Sequence, residues 1–176
     1  MNFRYGIQIK TAIRAMREVV IPAVDGSNKM AIEQAGLVVA MLQLLERTLP
    51  LVYRYDCAEL ERHLALAEAL RAVGERIPSL KAPSEQMGST AAAASATLNR
   101  PRADPKDLEQ ACRDVRTAIA DFVTLAYREA PVAERQTVAR LTLAATQEQA
   151  LKERAWVISQ GWESEPGKLE PIELLI

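Results

Sequence analysis

Glycine is scarce in this chain, with 7 residues among 176, and aromatic residues make up only 5%. A β-sandwich or barrel draws on turn glycines, aromatics and alternating β-branched residues, so their shortage excludes those folds. Only two cysteines occur, Cys57 and Cys112. They are too few for a disulfide framework, and both fall inside helical patterns as small buried residues. They fit a reducing, cytoplasmic compartment. An excess of one charge is also missing: 22 Lys plus Arg stand against 23 Asp plus Glu, for a net charge of −1. That balance gives no global attraction to nucleic acid or to an acidic membrane surface. The N-terminus lacks the basic region, apolar run and small-residue cleavage site of a signal peptide. The longest uncharged run lies between Glu33 and Glu46. It falls well short of the roughly 20 apolar residues that cross a bilayer, so no membrane span is expected.

Hydrophobic residues reach 49% and charged residues 26%, the balance of a globular chain large enough to bury a core without staples. Alanine, leucine, glutamate and arginine dominate, and all four favour helix. The expectation is an all-α fold. It takes the form of one domain over 1–176, an antiparallel bundle of about five helices with a Pro/Ala/Ser-rich crossover over 78–104 and a short tail over 161–176.

The helices can be placed by their apolar spacing. Ile9, Ile13, Met16 and Val20 share one face of a first helix, with Lys10, Arg14 and Arg17 on another; Pro22 and Asp25-Gly26-Ser27-Asn28 end it. Ser27 or Asn28 then caps a second helix over roughly 29–49. Its apolar stripe is Met30, Leu37, Met41 and Leu44, widened by Val38, Leu42, Leu45 and Leu49, with Gln34 and Thr48 on the same line. So broad a stripe predicts the most buried helix of the bundle, with Gln34 as a core polar group that needs a partner. Pro50 breaks or kinks the chain, and a third helix to about Ile77 turns Leu60, Leu64, Ala67, Leu70 and Val73 inward. Between Pro78 and Pro105 small residues prevail. This stretch reads as a surface connection, with a short helix over 84–98 as the alternative. Asp104-Pro105-Lys106-Asp107 is a helix start, with an acceptor at the cap and proline at the first position. Leu108, Cys112, Val115, Ile119, Phe122 and Ala126 follow in steps of four and three, the seam of bundle packing. A fifth helix runs from Pro131 to about Gln160.

No catalytic set, cofactor motif or metal site is legible. A di-iron bundle needs a Glu-x-x-His element on two helices, and the chain has one histidine, His63. Glu59 and His63 are four apart and read as a surface pair; with Glu33 or Glu46 they would be the sole candidates for a single metal. Cys57 and His63 are six apart and point to nearly opposite sides of one helix. Tyr53, Tyr55, Cys57 and His63 are the candidate lining of a small-molecule pocket between helices. Trp156, Trp162, Leu174, Leu175 and Ile176 are the candidate interface residues, since aromatics are enriched where chains meet. Arg4, Lys10, Arg14 and Arg17 give the first helix a basic face that would suit a membrane surface or nucleic acid, but aromatic platforms are nearly absent beyond Phe3 and Tyr5, and no nucleic-acid partner is expected. The acidic tail residues Glu163, Glu165, Glu170 and Glu173 are natural partners for that helix. The leading functional expectation is a cytoplasmic interaction module that forms a homodimer and takes a protein partner.

Overall fold

A computed structural model of the chain describes residues 4–176. Among these the fold is all-α, with no strand. Six main helices form it: α1 (Tyr5–Ala15), α2 (Lys29–Thr48), α3 (Val52–Gly74), α4 (Lys81–Leu98), α5 (Pro105–Glu129) and α6 (Val132–Trp156). The chain divides into two compact units. One comprises the residues up to Val52 with Glu153–Leu175, and the other comprises Tyr53–Lys152 with Ile176.

The 53–152 unit holds the main apolar core. α5 carries it: Leu108, Cys112, Val115, Ile119, Phe122 and Ala126 are all buried, the full seam expected from their spacing. Asp104 caps this helix by accepting the Lys106 amide at 2.8 Å, and Pro105 opens it. From α3, Leu60, Ala67, Leu70 and Val73 join the same core. Where the composition of 78–104 predicts a crossover loop, the chain instead forms α4, packed along α5. Three features account for the helix. Alanine is the best helix former. Pro83 sits in the first turn, where its missing N–H is not needed. The hydroxyls of Ser84, Thr90 and Thr97 donate to carbonyls four residues back, at 2.8, 3.1 and 3.3 Å, so they do not compete with the helix for partners outside it. The connection to α5 turns at Arg100-Pro101-Arg102-Ala103, where the Ala103 amide donates to the Arg100 carbonyl at 3.2 Å. Arg102, in the third place of this turn, takes a positive φ of 58°, the sign that a type II turn requires there.

The other unit is built on α1 and α2, which pack together with Ile13 and Val39 buried. α1 continues through a π turn, Met16–Val20, into Ile21–Ala23. Pro22 explains the widening. Its ring lacks an N–H and would strike the carbonyl four residues back, and the looser coil relieves this, with the Ile21 amide reaching the Met16 carbonyl. Asn28 caps α2 by accepting the Ala31 amide at 3.1 Å. Pro50 does not break the chain; it tightens Leu49–Leu51 into one 3-10 turn. After α6 a 3-10 turn, Ile158–Gln160, ends at Gly161, whose φ of 73° suits glycine as a helix stop. The Gln160 side-chain Nε2 donates to the Ala40 carbonyl at 3.1 Å. In the tail, Ile172 is fully buried within a short helix, Ile172–Leu175.

The expectation for α2 is overturned. Only Val39 and Thr48 are buried along it, while Met30, Leu37, Val38, Met41 and Leu45 are exposed, as is Leu49 just beyond. Gln34 is exposed too and is not a core polar group. Spacing reports which side of a helix is apolar; it does not report whether anything covers that side.

Candidate functional site

The four residues expected to line one pocket sit on α3 but do not converge. Tyr53 and Cys57, one turn apart, lie on one side of the helix. Burial pushes the Cys57 thiol above its ordinary value, and the same effect, then Cys57 itself, raises Tyr53. Tyr55 and His63 lie on the other side. The Tyr55 hydroxyl accepts from the Gln149 amide of α6 at 2.9 Å. His63 belongs to a polar cluster further along. The reason is geometric: at 100° per residue, positions 53 and 57 share a stripe that 55 and 63 do not.

That cluster is more enclosed than a surface Glu–His pair. The His63 side chain is only 12% exposed and its Nε2 lies 3.5 Å from Glu59 Oε1, long for a hydrogen bond. Arg62 is buried as well, with Nη2 3.9 Å from the same carboxylate oxygen. Arg62 Nε and Nη2 and His63 Nε2 have no hydrogen-bond partner. The carboxyl of Glu59 is held below its usual range by His63 first, with Arg62 and Arg116 adding to the effect. Asp56 moves the opposite way, raised by burial and by the charges of Glu59 and Glu109. Cys112 is pushed up to about 12, by burial first and then by Glu59 and Asp56. Beside the cluster a cavity of about 260 Å³ is lined by His63, Leu66, Arg116, Ile119, Ala120, Val123 and Thr142. Spacing could not reveal Arg62 as a buried neighbour, because an arginine in a helix normally faces water; Arg116 lines the cavity from an exposed position. Among the described residues no group of three or more His, Cys, Asp or Glu is placed to hold a metal ion.

The candidate interface residues are divided in their exposure. Trp162 and Leu174 are open to solvent, at 77% and 73%, whereas Trp156, Leu175 and Ile176 are half-buried. The larger apolar surface is the one on α2, where Met30 is 74% and Met41 56% exposed. One helical stretch, Lys29–Gly74, is long and apolar enough to cross a membrane by length and composition alone, with a window of mean hydropathy 1.5 that is 11% buried.

The basic first helix is partly neutralised within its own unit. Arg14 pairs with Glu18 at 2.8 Å and Lys10 with Glu46 at 3.5 Å; Phe3 lies outside the described residues. Of the tail carboxylates, Glu163 is held by Arg154 of α6 at 2.8 and 2.9 Å, and Glu165 by Lys168. Comparison of the chain with protein-family models, with curated proteins and with solved structures finds no match.

Proposed function

We propose that this chain is a cytoplasmic helical interaction module that associates with copies of itself. The observation that carries the reading is the uncovered apolar stripe of α2: large aliphatic side chains without a charge from Gln34 to Leu45, left in water by their own unit. Contiguous apolar surface of this kind is the usual mark of a docking face, and two-fold pairing is the commonest way soluble chains cover one. The free cysteines suit a reducing compartment. Sedimentation velocity and native mass spectrometry, run from low-micromolar to several-hundred-micromolar protein, test it. The expected species approaches twice the 19.4 kDa chain mass as concentration rises; a monomer throughout refutes the reading.

A second reading rests on a separate observation, the buried His63 Nε2, which has no hydrogen-bond partner and belongs to a residue lining the cavity. Buried donors without partners are costly, and a small acidic molecule seated between His63 and Arg116 would supply an acceptor. Native mass spectrometry also tests this version. It expects added mass that is lost on denaturation and reduced in His63→Ala. Bare chain mass in the freshly isolated protein sinks it.

A further inference from the structure

We infer that α2 pairs with α2 of a second copy, antiparallel and about a two-fold axis near residues 39 and 40. The inference rests on the self-association reading above and names its surface. Lys29, Glu33, Gly36, Leu37 and Gln43 are exposed along α2 outside one narrow stripe; the exposed positions of that stripe are Met30, Gln34, Val38, Met41, Leu45 and, just past the helix end, Leu49. Their gaps are four, four, three, four and four, the same from either end. On a helix these six positions fall within a stripe about 100° wide. A two-fold interface must be self-complementary, because each residue of the patch meets the patch of its copy running the other way. This stripe meets that condition. Inverted about its midpoint, Met30 falls opposite Leu49, Val38 opposite Met41 and Gln34 opposite Leu45. Leu37 at the edge falls opposite Leu42.

Area agrees with this occupant. No charged residue lies between Glu33 and Glu46, so the centre of the inverted stripe carries no charge, while Glu33 and Glu46 fall opposite each other towards its ends and oppose tight pairing. An aromatic side chain buries about 150–250 Å² and a large aliphatic residue somewhat less, so at their exposures the apolar residues of this face offer about 500 Å². Two copies would then bury about 1,000 Å², the lower bound for a specific interface. A dimer of that size is weak, with dissociation expected in the micromolar range.

Two measurements decide it. The first is sedimentation velocity on Val38→Glu and on Met41→Glu, which place charge at the centre of the stripe. Both positions are exposed, so far-ultraviolet circular dichroism should match that of the parent. The expected result is a monomer at concentrations where the parent is dimeric. The second is oxidative cross-linking of Met30→Cys mixed with Leu49→Cys, residues about 28 Å apart on one helix. The mixture should give a disulfide-linked pair, and Met30→Cys alone should not. A monomeric parent would remove self-association itself. A parent that dimerises while both Glu variants still dimerise would keep self-association and overturn this surface. Cross-linking of Met30→Cys to itself would overturn the antiparallel arrangement. Flotation of the parent with zwitterionic phosphatidylcholine vesicles, lost in Met41→Glu, would assign the face to lipid instead.

Discussion

Replacing Gly74 with alanine inserts one methyl group into the tightest place in the core of the 53–152 unit. A Cβ there would lie 2.0 Å from Ser84 Oγ and 2.7 and 2.9 Å from two carbons of the Phe122 ring. Neither neighbour is free to retreat. Ser84 is fully buried and its hydroxyl donates to the Leu80 carbonyl at 2.8 Å, while Phe122 is buried among the α5 seam. Overpacking of this kind costs about 1–3 kcal/mol. Alanine would repay up to about 1 kcal/mol through helix propensity in a helix interior, and less here because Gly74 is the last residue of α3. The net expectation is a loss of about 1–2 kcal/mol, or a Tm lowered by about 2–8 °C for a chain of this size. Gly36→Ala is the control. It lies inside α2 with nothing within 4 Å of an added Cβ, so only the propensity gain applies and the Tm should rise. Urea titration and thermal melts followed by circular dichroism measure both. Ser84→Ala added to Gly74→Ala removes the nearest clash and should recover part of the loss, while Phe122 still obstructs. Gly74→Ala as stable as the parent would refute the packing described around Ser84 and Phe122.

Acid stability provides a second measurement. Glu59 is held below its ordinary value of 4.5, chiefly by His63. Its contribution to stability is therefore complete above that value and is lost as pH falls through the lowered one. Glu59→Gln should flatten the decline of urea midpoint below about pH 4.5, and an unchanged acid limb would count against the pairing. Asp56, raised by burial, works with the opposite sign, gaining stability on protonation. Thiol titration at pH 8 should show Cys112, with its thiol pushed up to about 12, as inert in the native state and reactive only after unfolding. Cys57 should react slowly but measurably. Rapid labelling of Cys112 in the native protein would contradict its burial against α3.

The α5 seam was fully legible, because Leu108 to Ala126 is apolar only where it is covered. α4 was hidden by its own composition. A run of small residues among prolines reads as a connection, and what makes it a helix is the partner helix it packs against, which spacing cannot show. α2 failed in the opposite sense. Its stripe is as regular as any core face, yet Met30, Leu37 and Met41 stand in water. Sequence patterning identifies a surface that wants a cover, and identifies it equally well when the cover belongs to another molecule. Around His63 the missed elements were Arg62 and Arg116, since the pattern that finds core residues counts apolar side chains only.

The Gln160 contact with the Ala40 carbonyl joins residues 120 apart in the chain, and Arg154 and Glu163 fasten the same unit. Part of this unit is thus supplied only after residues 53–152 have been made. The α4–α5 pair, joined by a short turn, has no such wait, because local contacts cost little closure entropy and form fast. The order of assembly follows: the intervening hairpin first, the outer unit last. Pulse-labelled hydrogen exchange during refolding should therefore protect the amides of α4 and α5 before those of Ile158–Gln160, and simultaneous protection would show that the two units fold as one. For a chain emerging from the ribosome, the α2 stripe would pass through a period with its own unit still incomplete. That makes it the segment most exposed to premature association during synthesis.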